Sequence, residues 1–209
     1  MEPLAPQTPA PSPTARIEAF SDGVIAIIIT IMILELKVPF RDFDSGSLMA
    51  VLREIAGPLL SYVLSFVVVA ILLLNHHEMM RMASDATPAL YWWNAHLLFW
   101  SSLIPLSTAT MGDHPFAPGA VALYGVVLAG VAVSFTLLDR YLMRMAAESC
   151  GVRPRAWLDT TRDYAAMALY AAGAALAFVS VYASFVIYVV IPIAYFLSPF
   201  RNNRAFVKG

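Results

Sequence analysis

The chain has 209 residues, of which 60% are hydrophobic and 13% are charged, and its formal net charge is −1. A mean hydropathy of +0.71 lies far above that of soluble domains and indicates an integral membrane protein. The near-neutral charge excludes a broad basic surface and therefore nucleic-acid binding. The single cysteine, Cys150, excludes an intramolecular disulfide and multi-cysteine metal sites.

Both ends of the chain are predicted to lie outside the membrane domain. Residues 1–15 contain five prolines and no apolar core, which predicts a disordered proline-rich tail. The apolar segment that follows lacks the basic start and the small-residue cleavage site of a signal peptide, so we expect a retained first helix. Residues 201–209 are predicted to form a basic cytoplasmic tail.

Residues 16–200 are predicted to form a six-helix transmembrane domain. A helix needs roughly 20 residues to cross about 30 Å of hydrocarbon. The last 40 apolar residues would make a helix of roughly 60 Å if unbroken, so we place a turn near Ala183 and Ser184. The predicted spans are residues 17–37, 51–74, 89–110, 118–143, 161–181 and 184–199.

The distribution of basic residues predicts the orientation. If the amino terminus is cytoplasmic, the inner segments hold ten of the thirteen Lys and Arg residues, and the outer loops hold Lys37, Arg41 and Arg53. The sequence therefore predicts an all-α polytopic membrane protein with six transmembrane helices and with amino and carboxyl termini in the cytoplasm. The inner residues are Arg16, Arg81, Arg140, Arg144, Arg153, Arg155, Arg162, Arg201, Arg204 and Lys208.

The first helix, in "ARIEAFSDGVIAIIITIMILEL", has two different faces. At 100° per residue, an almost entirely apolar stripe spans roughly 100° and includes the single hydroxyl of Thr30. The wheel alone does not distinguish a pore-lining stripe from a helix-packing stripe. The stripe consists of Phe20, Gly23, Ile27, Thr30, Ile31 and Leu34.

The start of this helix carries polar residues that need partners or water. One interpretation is a snorkelling helix start with Ser21 or Asp22 as a cap. The other is a hydrogen-bonded cluster of Ser21 and Asp22 with one of the histidines of "NHHEMMR" and with Asn94, all at the inner edge of the bundle. A metal site at these histidines is disfavoured, because adjacent helical residues point about 100° apart.

Three motifs occur in the order typical of one family. They are "RIEAFSD", with Arg16, Phe20, Ser21 and Asp22; "NHHEMMR", with His76 and His77; and "WWNAHLLFWSSLIPLSTA", with Trp93 and Asn94. The pattern R-x-x-x-F-S-D resembles the signature of the FSD-motif potassium channels, which comprise the endolysosomal potassium channel of animals and its bacterial and archaeal relatives.

The resemblance implies a homotetrameric, potassium-selective or leak-type cation channel in a prokaryotic plasma membrane. One six-helix repeat per chain implies four copies, with the first helix of each lining the pore. Potassium is the implied permeant ion among monovalent cations, with no cofactor and no catalytic residue. By position, the apolar constriction falls on Ile27, Ile31 and Leu34, and the family's threonine ring falls on Thr30.

Other functions remain open at this stage. A secondary transporter would use broken helices, and Pro105 and Pro192 interrupt the third and sixth spans. A proton-permeable channel is a second alternative, since some members of the resembled family pass protons. A membrane enzyme is disfavoured, because the hydroxyls of Ser102, Ser107 and Thr108 have no nearby base.

Overall fold

The computed structural model describes residues 14–37, 48–150 and 157–197. The proline-rich segment before Thr14 and the basic tail from residue 201 lie outside these ranges, so their predicted disorder and location stay predictions. The first helix begins at Ala15, and Thr14 before it is buried.

Within the described residues, the regular structure is entirely α-helical, in agreement with the predicted all-α class. Six predicted spans correspond to seven helices, because the third span is divided in two. The helices are α1 (Ala15–Leu34), α2 (Leu48–Met80), α3 (Pro88–Ser102), α4 (Ile104–Asp113), α5 (Pro118–Cys150), α6 (Trp157–Leu176) and α7 (Val181–Leu197).

Three of these helices are long and apolar enough to cross a membrane by length and composition. They contain the stretches Ala15–Leu34, Val51–Met80 and Pro118–Glu148, and α7 contributes the shorter apolar stretch Val181–Tyr195. The chain is therefore a membrane protein. The number of crossings beyond these three helices is part of the proposed function.

The division between α3 and α4 lies at Leu103. Leu103 ends α3 and precedes α4, and Pro105 occupies the first turn of α4. Proline has no backbone N–H and is tolerated in the first turn of a helix but not in its interior. A helix restarted at Ile104 accommodates Pro105 in that first turn.

The turn between α6 and α7 covers residues 177–180, about one helical turn before the predicted position at Ala183 and Ser184. Ser180 accepts a hydrogen bond from the backbone N–H of Ala183 at 3.4 Å, as an N-cap residue does. Ser184 lies inside α7, where its hydroxyl donates to the carbonyl of Gly173 at 2.7 Å. The predicted split into two helices is correct, and the predicted position is wrong because Ser184 bonds to α6 instead of capping α7.

Tyr188 of α7 fills a slot between two glycines on neighbouring helices. A Cβ atom at Gly173 would lie 2.6 Å from Tyr188 Cε1, and one at Gly125 would collide with the Tyr188 hydroxyl. That hydroxyl donates to the carbonyl of Val121 at 3.1 Å. Small residues at helix contacts allow close approach within membranes, and these two glycines therefore fix the packing of α5, α6 and α7.

We expect Gly112→Ala to lower the thermal stability of the protein. A Cβ atom at Gly112 of α4 would lie 2.9 Å from the backbone Cα of Pro58 in α2, so one of the two helices must shift. Overpacking of this kind costs about 1–3 kcal/mol. Unfolding of the purified protein in detergent, followed by tryptophan fluorescence, should show a midpoint several degrees lower.

The matched control is Gly119→Ala, because no atom lies within 4 Å of a Cβ added at Gly119. Its midpoint should equal or exceed that of the unchanged protein, since alanine favours helix. Equal losses in the two variants would contradict the close contact of α2 and α4.

Candidate functional site

The buried face of α1 packs against α2, α3 and α4. Its buried residues recur every three or four positions, as expected for one face of a helix. This face lies roughly 120° around the helix from the predicted apolar stripe. The buried residues are Ile17, Ser21, Ile25, Ile28 and Met32.

The predicted apolar stripe forms the exposed side of α1. Phe20 is 64% exposed, Ile27 57%, Ile31 41% and Leu34 79%. Thr30 is also exposed, and its hydroxyl donates to the carbonyl of Ile27 at 2.9 Å. No helix among the described residues of this chain covers the stripe, so within one subunit it is available to lipid or to another subunit.

A groove of about 440 Å³ runs beside the stripe. Ile27 and Ile31 form one wall, and Pro105 and Leu106 of α4 form the other. Leu106 is itself 62% exposed. An uncovered apolar strip of this kind on adjacent helices is typical of a surface that contacts another apolar surface.

A polar cluster joins the inner ends of α1, α2 and α3. The side-chain amide of Asn94 donates to Ser21 Oγ at 2.9 Å, and Ser21 Oγ donates to the Ile17 carbonyl at 2.8 Å. His76 Nε2 lies 2.9 Å from Asn94 Oδ1 and donates to it when it carries the hydrogen. We call Ser21, Asn94 and His76 the inner clasp.

The inner clasp is buried, which makes its hydrogen bonds energetically important. Ser21 and His76 are 0% exposed and Asn94 is 3% exposed. Asn94 is the central member because it bonds to both others. Loss of Asn94 would leave the buried His76 Nε2 without its partner, at a cost of about 1–3 kcal/mol, while Ser21 would keep its bond to the Ile17 carbonyl. The clasp therefore fixes the rotation of α1 relative to α2 and α3.

Several residues of the three motifs lie outside the inner clasp. Arg16, Phe20, Asp22 and His77 are exposed, and Trp93 is half-buried against the main apolar core. Within the described residues, no hydrogen bond or salt bridge reaches the Asp22 carboxylate. Ser21 and Asp22 are adjacent, so they point about 100° apart and cannot both face α3.

A second buried network of hydrogen-bonded side chains was not predicted from the sequence. Thr108 Oγ1 donates to Ser65 Oγ at 2.7 Å, and Ser65 Oγ donates to the Tyr124 hydroxyl at 3.0 Å. These hydrogen bonds connect α4, α2 and α5 within the apolar core. Thr108 stands in the sequence as an isolated hydroxyl, and its partners are distant in the chain, so no local spacing could reveal them.

Comparisons with known proteins point to one family. The family model described as "Endosomal/lysosomal potassium channel TMEM175" matches residues 16–105, which contain α1, the inner clasp and the α3–α4 break. The matched segment includes the first two motifs quoted from the sequence in full and the third as far as Pro105.

Relatives extend the match over most of the chain. A potassium channel from Chryseobacterium sp. (strain P1-3) is 37% identical over 190 residues, which cover 91% of this chain and 96% of the relative. The endosomal/lysosomal proton channel TMEM175 of Mus musculus is 35% identical over 114 residues, covering 51% of this chain and 23% of the mouse protein.

A solved structure confirms the fold. The crystal structure of a lysosomal potassium-selective channel TMEM175 homolog from Chamaesiphon minutus superposes with a TM-score of 0.75 at 30% identity. The superposition covers 88% of this chain and 96% of that chain. Since sequence motifs, full-length similarity and structure agree, this chain belongs to the TMEM175 channel family.

Proposed function

We propose that this chain is the subunit of a potassium-permeable channel whose pore is lined by α1. The observation that carries the proposal is the exposed apolar stripe of α1, roughly 120° around the helix from the face that carries the inner clasp. The bacterial relatives named above are potassium channels, which supports potassium as the permeant ion. A pore function explains why a helix anchored so firmly on one side leaves the other side uncovered.

We propose that four subunits assemble around the stripe, in a prokaryotic plasma membrane. One subunit supplies only one wall of a pore, so the α1 helices of several copies must face each other. The groove between the stripe and Leu106 offers an apolar surface for the neighbouring subunit. Arg16 and Asp22 are exposed within the subunit. They would support the assembly by contacting groups of a neighbouring subunit.

Ile27 is the proposed constriction, with Ile31 and Leu34 as further apolar rings toward the outer side. Four isoleucine side chains around a narrow pore expel water, and the pore closes to ions without a steric plug. A small rotation of α1 would widen the ring and rehydrate it. The inner clasp resists that rotation, so it sets the resting position of the ring.

Thr30 is the polar ring of the proposed pore. Because its hydroxyl hydrogen is donated to the Ile27 carbonyl, the oxygen presents lone pairs outward, as a cation requires. We expect Thr30→Val to change the potassium-to-sodium permeability ratio or the conductance without opening the closed pore. Single-channel recording in planar bilayers measures both quantities, and unchanged values of both would remove Thr30 from the pore.

We propose six crossings with both termini in the cytoplasm. The seven described helices make six crossings when α3 and α4 are counted as one broken crossing. We expect a cysteine at Ala117 to react with an impermeant thiol reagent from outside intact cells and one at Asp85 to react only after permeabilisation, because most basic residues lie on the side of Asp85. Cys150 is replaced by serine in both variants, and labelling of both from one side would contradict this topology.

The experiment that tests the function is ion flux in liposomes. The purified protein is reconstituted with a potassium, a sodium or a proton gradient, and the flux of each ion is compared. We expect potassium flux that follows the electrochemical gradient and requires no second ion. Strict coupling to sodium or protons would indicate a transporter and would contradict the proposal.

A proton-permeable channel is the second candidate. It is favoured by the mouse relative, which is a proton channel. The full-length bacterial match favours potassium, since it covers nearly all of both chains. In the liposome assay, proton flux that exceeds potassium flux at equal driving force would decide for the second candidate.

A further inference from the structure

Two arginines lie on one face of α5, in its carboxyl-terminal half. Arg140 and Arg144 are four positions apart, so their side chains lie on successive turns of the same face, and both are exposed. Glu148 follows one turn later but forms no ion pair with Arg144. Across residues 14–37, 48–150 and 157–197, no hydrogen bond or salt bridge engages either guanidinium group. Within this part of the subunit, both positive charges therefore lack an anionic partner.

An aromatic ring of α6 holds one of these arginines in place. The guanidinium carbon of Arg140 lies over the Tyr164 ring, 4.7 Å from its centroid, which is a cation–π contact. Tyr164 is 39% exposed, so the pair lies at the surface of the bundle. The ring attracts the guanidinium through its π electrons and occupies none of the N–H donors. Arg140 is therefore ordered and can still donate hydrogen bonds to a group outside the chain.

The same face of α5 is apolar before the arginines. Val126 is 49% exposed and lies about 40° around the helix from Arg140, and Leu137 is half-buried. At 100° per residue, all four residues of this face lie within roughly 60° of one another. We call Val126, Leu137, Arg140 and Arg144 the arginine strip. An apolar strip that ends in two positive charges matches a ligand with an apolar chain and an anionic head.

The length of α5 places the two arginines at the level of lipid headgroups. At about 1.5 Å per residue, Arg140 lies about 33 Å along the helix from Pro118, and the hydrocarbon core is about 30 Å thick. A crossing that starts at Pro118 therefore holds Val126 and Leu137 in hydrocarbon and brings both arginines to the headgroups. This depth rests on the proposed topology, which the cysteine-labelling experiment tests separately.

We propose that the arginine strip binds one anionic glycerophospholipid per subunit. The lipid phosphate accepts hydrogen bonds from Arg140 and Arg144, because the planar guanidinium fork matches the spacing of phosphate oxygens. One acyl chain lies along Leu137 and Val126. A headgroup with a net negative charge binds more tightly than a zwitterionic one, because the two arginines repel the ammonium group of a zwitterionic lipid. The strip lies apart from the stripe of α1 and from the groove beside it.

The test is native mass spectrometry of the detergent-solubilised assembly, titrated with dioleoyl phosphatidylglycerol or with dioleoyl phosphatidylcholine. These lipids have the same acyl chains and differ in headgroup charge. We expect phosphatidylglycerol to bind at least about tenfold more tightly, since one basic residue near a membrane surface strengthens the attraction of anionic lipid about fivefold. Glycerophosphoglycerol, which is the same headgroup without acyl chains, should not compete at equal concentration.

Variants of the strip locate the site. Arg140→Gln and Arg144→Gln should each weaken phosphatidylglycerol binding about fivefold, and the double variant should lose the preference for this lipid. The matched control is Arg81→Gln, which removes one charge from an exposed arginine beyond the end of α2 and should preserve the preference. Tyr164→Leu should weaken binding about twofold to fivefold, whereas Tyr164→Phe keeps the ring and should bind normally. A sizing column confirms that each variant remains assembled.

Four results would each overturn the proposal. They are equal affinity for the two lipids, a preference that survives the double variant, an equal loss in Arg81→Gln, and competition by glycerophosphoglycerol at equal concentration, which would indicate a site for a soluble phosphodiester. Lipid binding is measured without ion flux, so failure of this proposal is distinguishable from failure of the proposed channel function.

Discussion

Replacing Ile27 with asparagine should raise the potassium current of the closed channel about tenfold or more. Four amides would hold water where four sec-butyl groups expel it, and a barrier lower by only about 1.4 kcal/mol gives a tenfold rate. The preference for potassium over sodium should fall at the same time, because ions could pass with their hydration shells. Single-channel recording at a fixed voltage measures the open probability, the conductance and the permeability ratio.

The control for Ile27→Asn must be exposed and must lie off the stripe. Ile28 is adjacent but 3% exposed, so Ile28→Asn would bury an amide in the core and destabilise the subunit. Ile33 is 45% exposed and lies about 120° around the helix from Ile27. Ile33→Asn should leave the current unchanged, and equal currents from Ile27→Asn and Ile33→Asn would show that α1 does not line the pore.

Replacing Asn94 with leucine should damage folding and assembly more than ion preference. Leucine has a similar size but no polar group, so Ser21 loses its donor and His76 loses its acceptor. Ser21 keeps its bond to the Ile17 carbonyl, so the buried His76 nitrogen carries most of the expected cost of about 1–3 kcal/mol. The variant should unfold several degrees earlier and give less of the assembled peak on a sizing column.

His96→Leu is the matched control, because His96 is an exposed polar residue two positions along the same helix. It should retain normal stability and assembly. Any Asn94→Leu protein that does assemble should keep its permeability ratio, since the inner clasp lies on the buried face of α1, roughly 120° around the helix from the stripe. Full stability together with an altered ratio would instead make Asn94 part of the ion path.

The two faces of α1 could be predicted from the sequence, because its apolar residues recur with the spacing of a helix. The stripe from Phe20 to Leu34 was predicted from 100° steps, and the structure leaves that stripe exposed. The wheel did not show whether the exposed side faces lipid, a pore or another helix, and a single subunit does not show it either. Its role as the lining of a pore is a proposal, which the Ile27→Asn variant tests.

Partners brought together by tertiary packing were only partly accessible. One of the two interpretations of the helix start was a cluster of Ser21 and Asp22 with Asn94 and one of the histidines, and the structure joins Ser21, Asn94 and His76. Asp22 does not join them, since shared depth alone ignores rotation around the helix. Asp139, 6% exposed inside α5, was not recognised as a buried carboxylate, because its position in the sequence resembles that of an ordinary helix end.

Breaks in helices could be predicted where a proline marks them and were harder to place where a serine does. Pro105 signalled an interruption of the third span, but only the structure divides it into separate helices at Leu103. The turn between α6 and α7 was misplaced because two serines compete for the role of cap. Ser180 takes that role, and Ser184 bonds across to Gly173.

The break at Leu103 divides the segment from Pro88 to Asp113 into two struts with different anchors. The inner strut, α3, is held through Asn94 to α1 and α2, and the outer strut, α4, is held through Thr108 to Ser65 of α2. A continuous helix would transmit any tilt of one end rigidly to the other. Because the helix is interrupted at Leu103, a tilt of α4 need not be transmitted rigidly to α3, so substitutions at the Thr108–Ser65 contact should disturb α2 and α4 before they disturb Asn94.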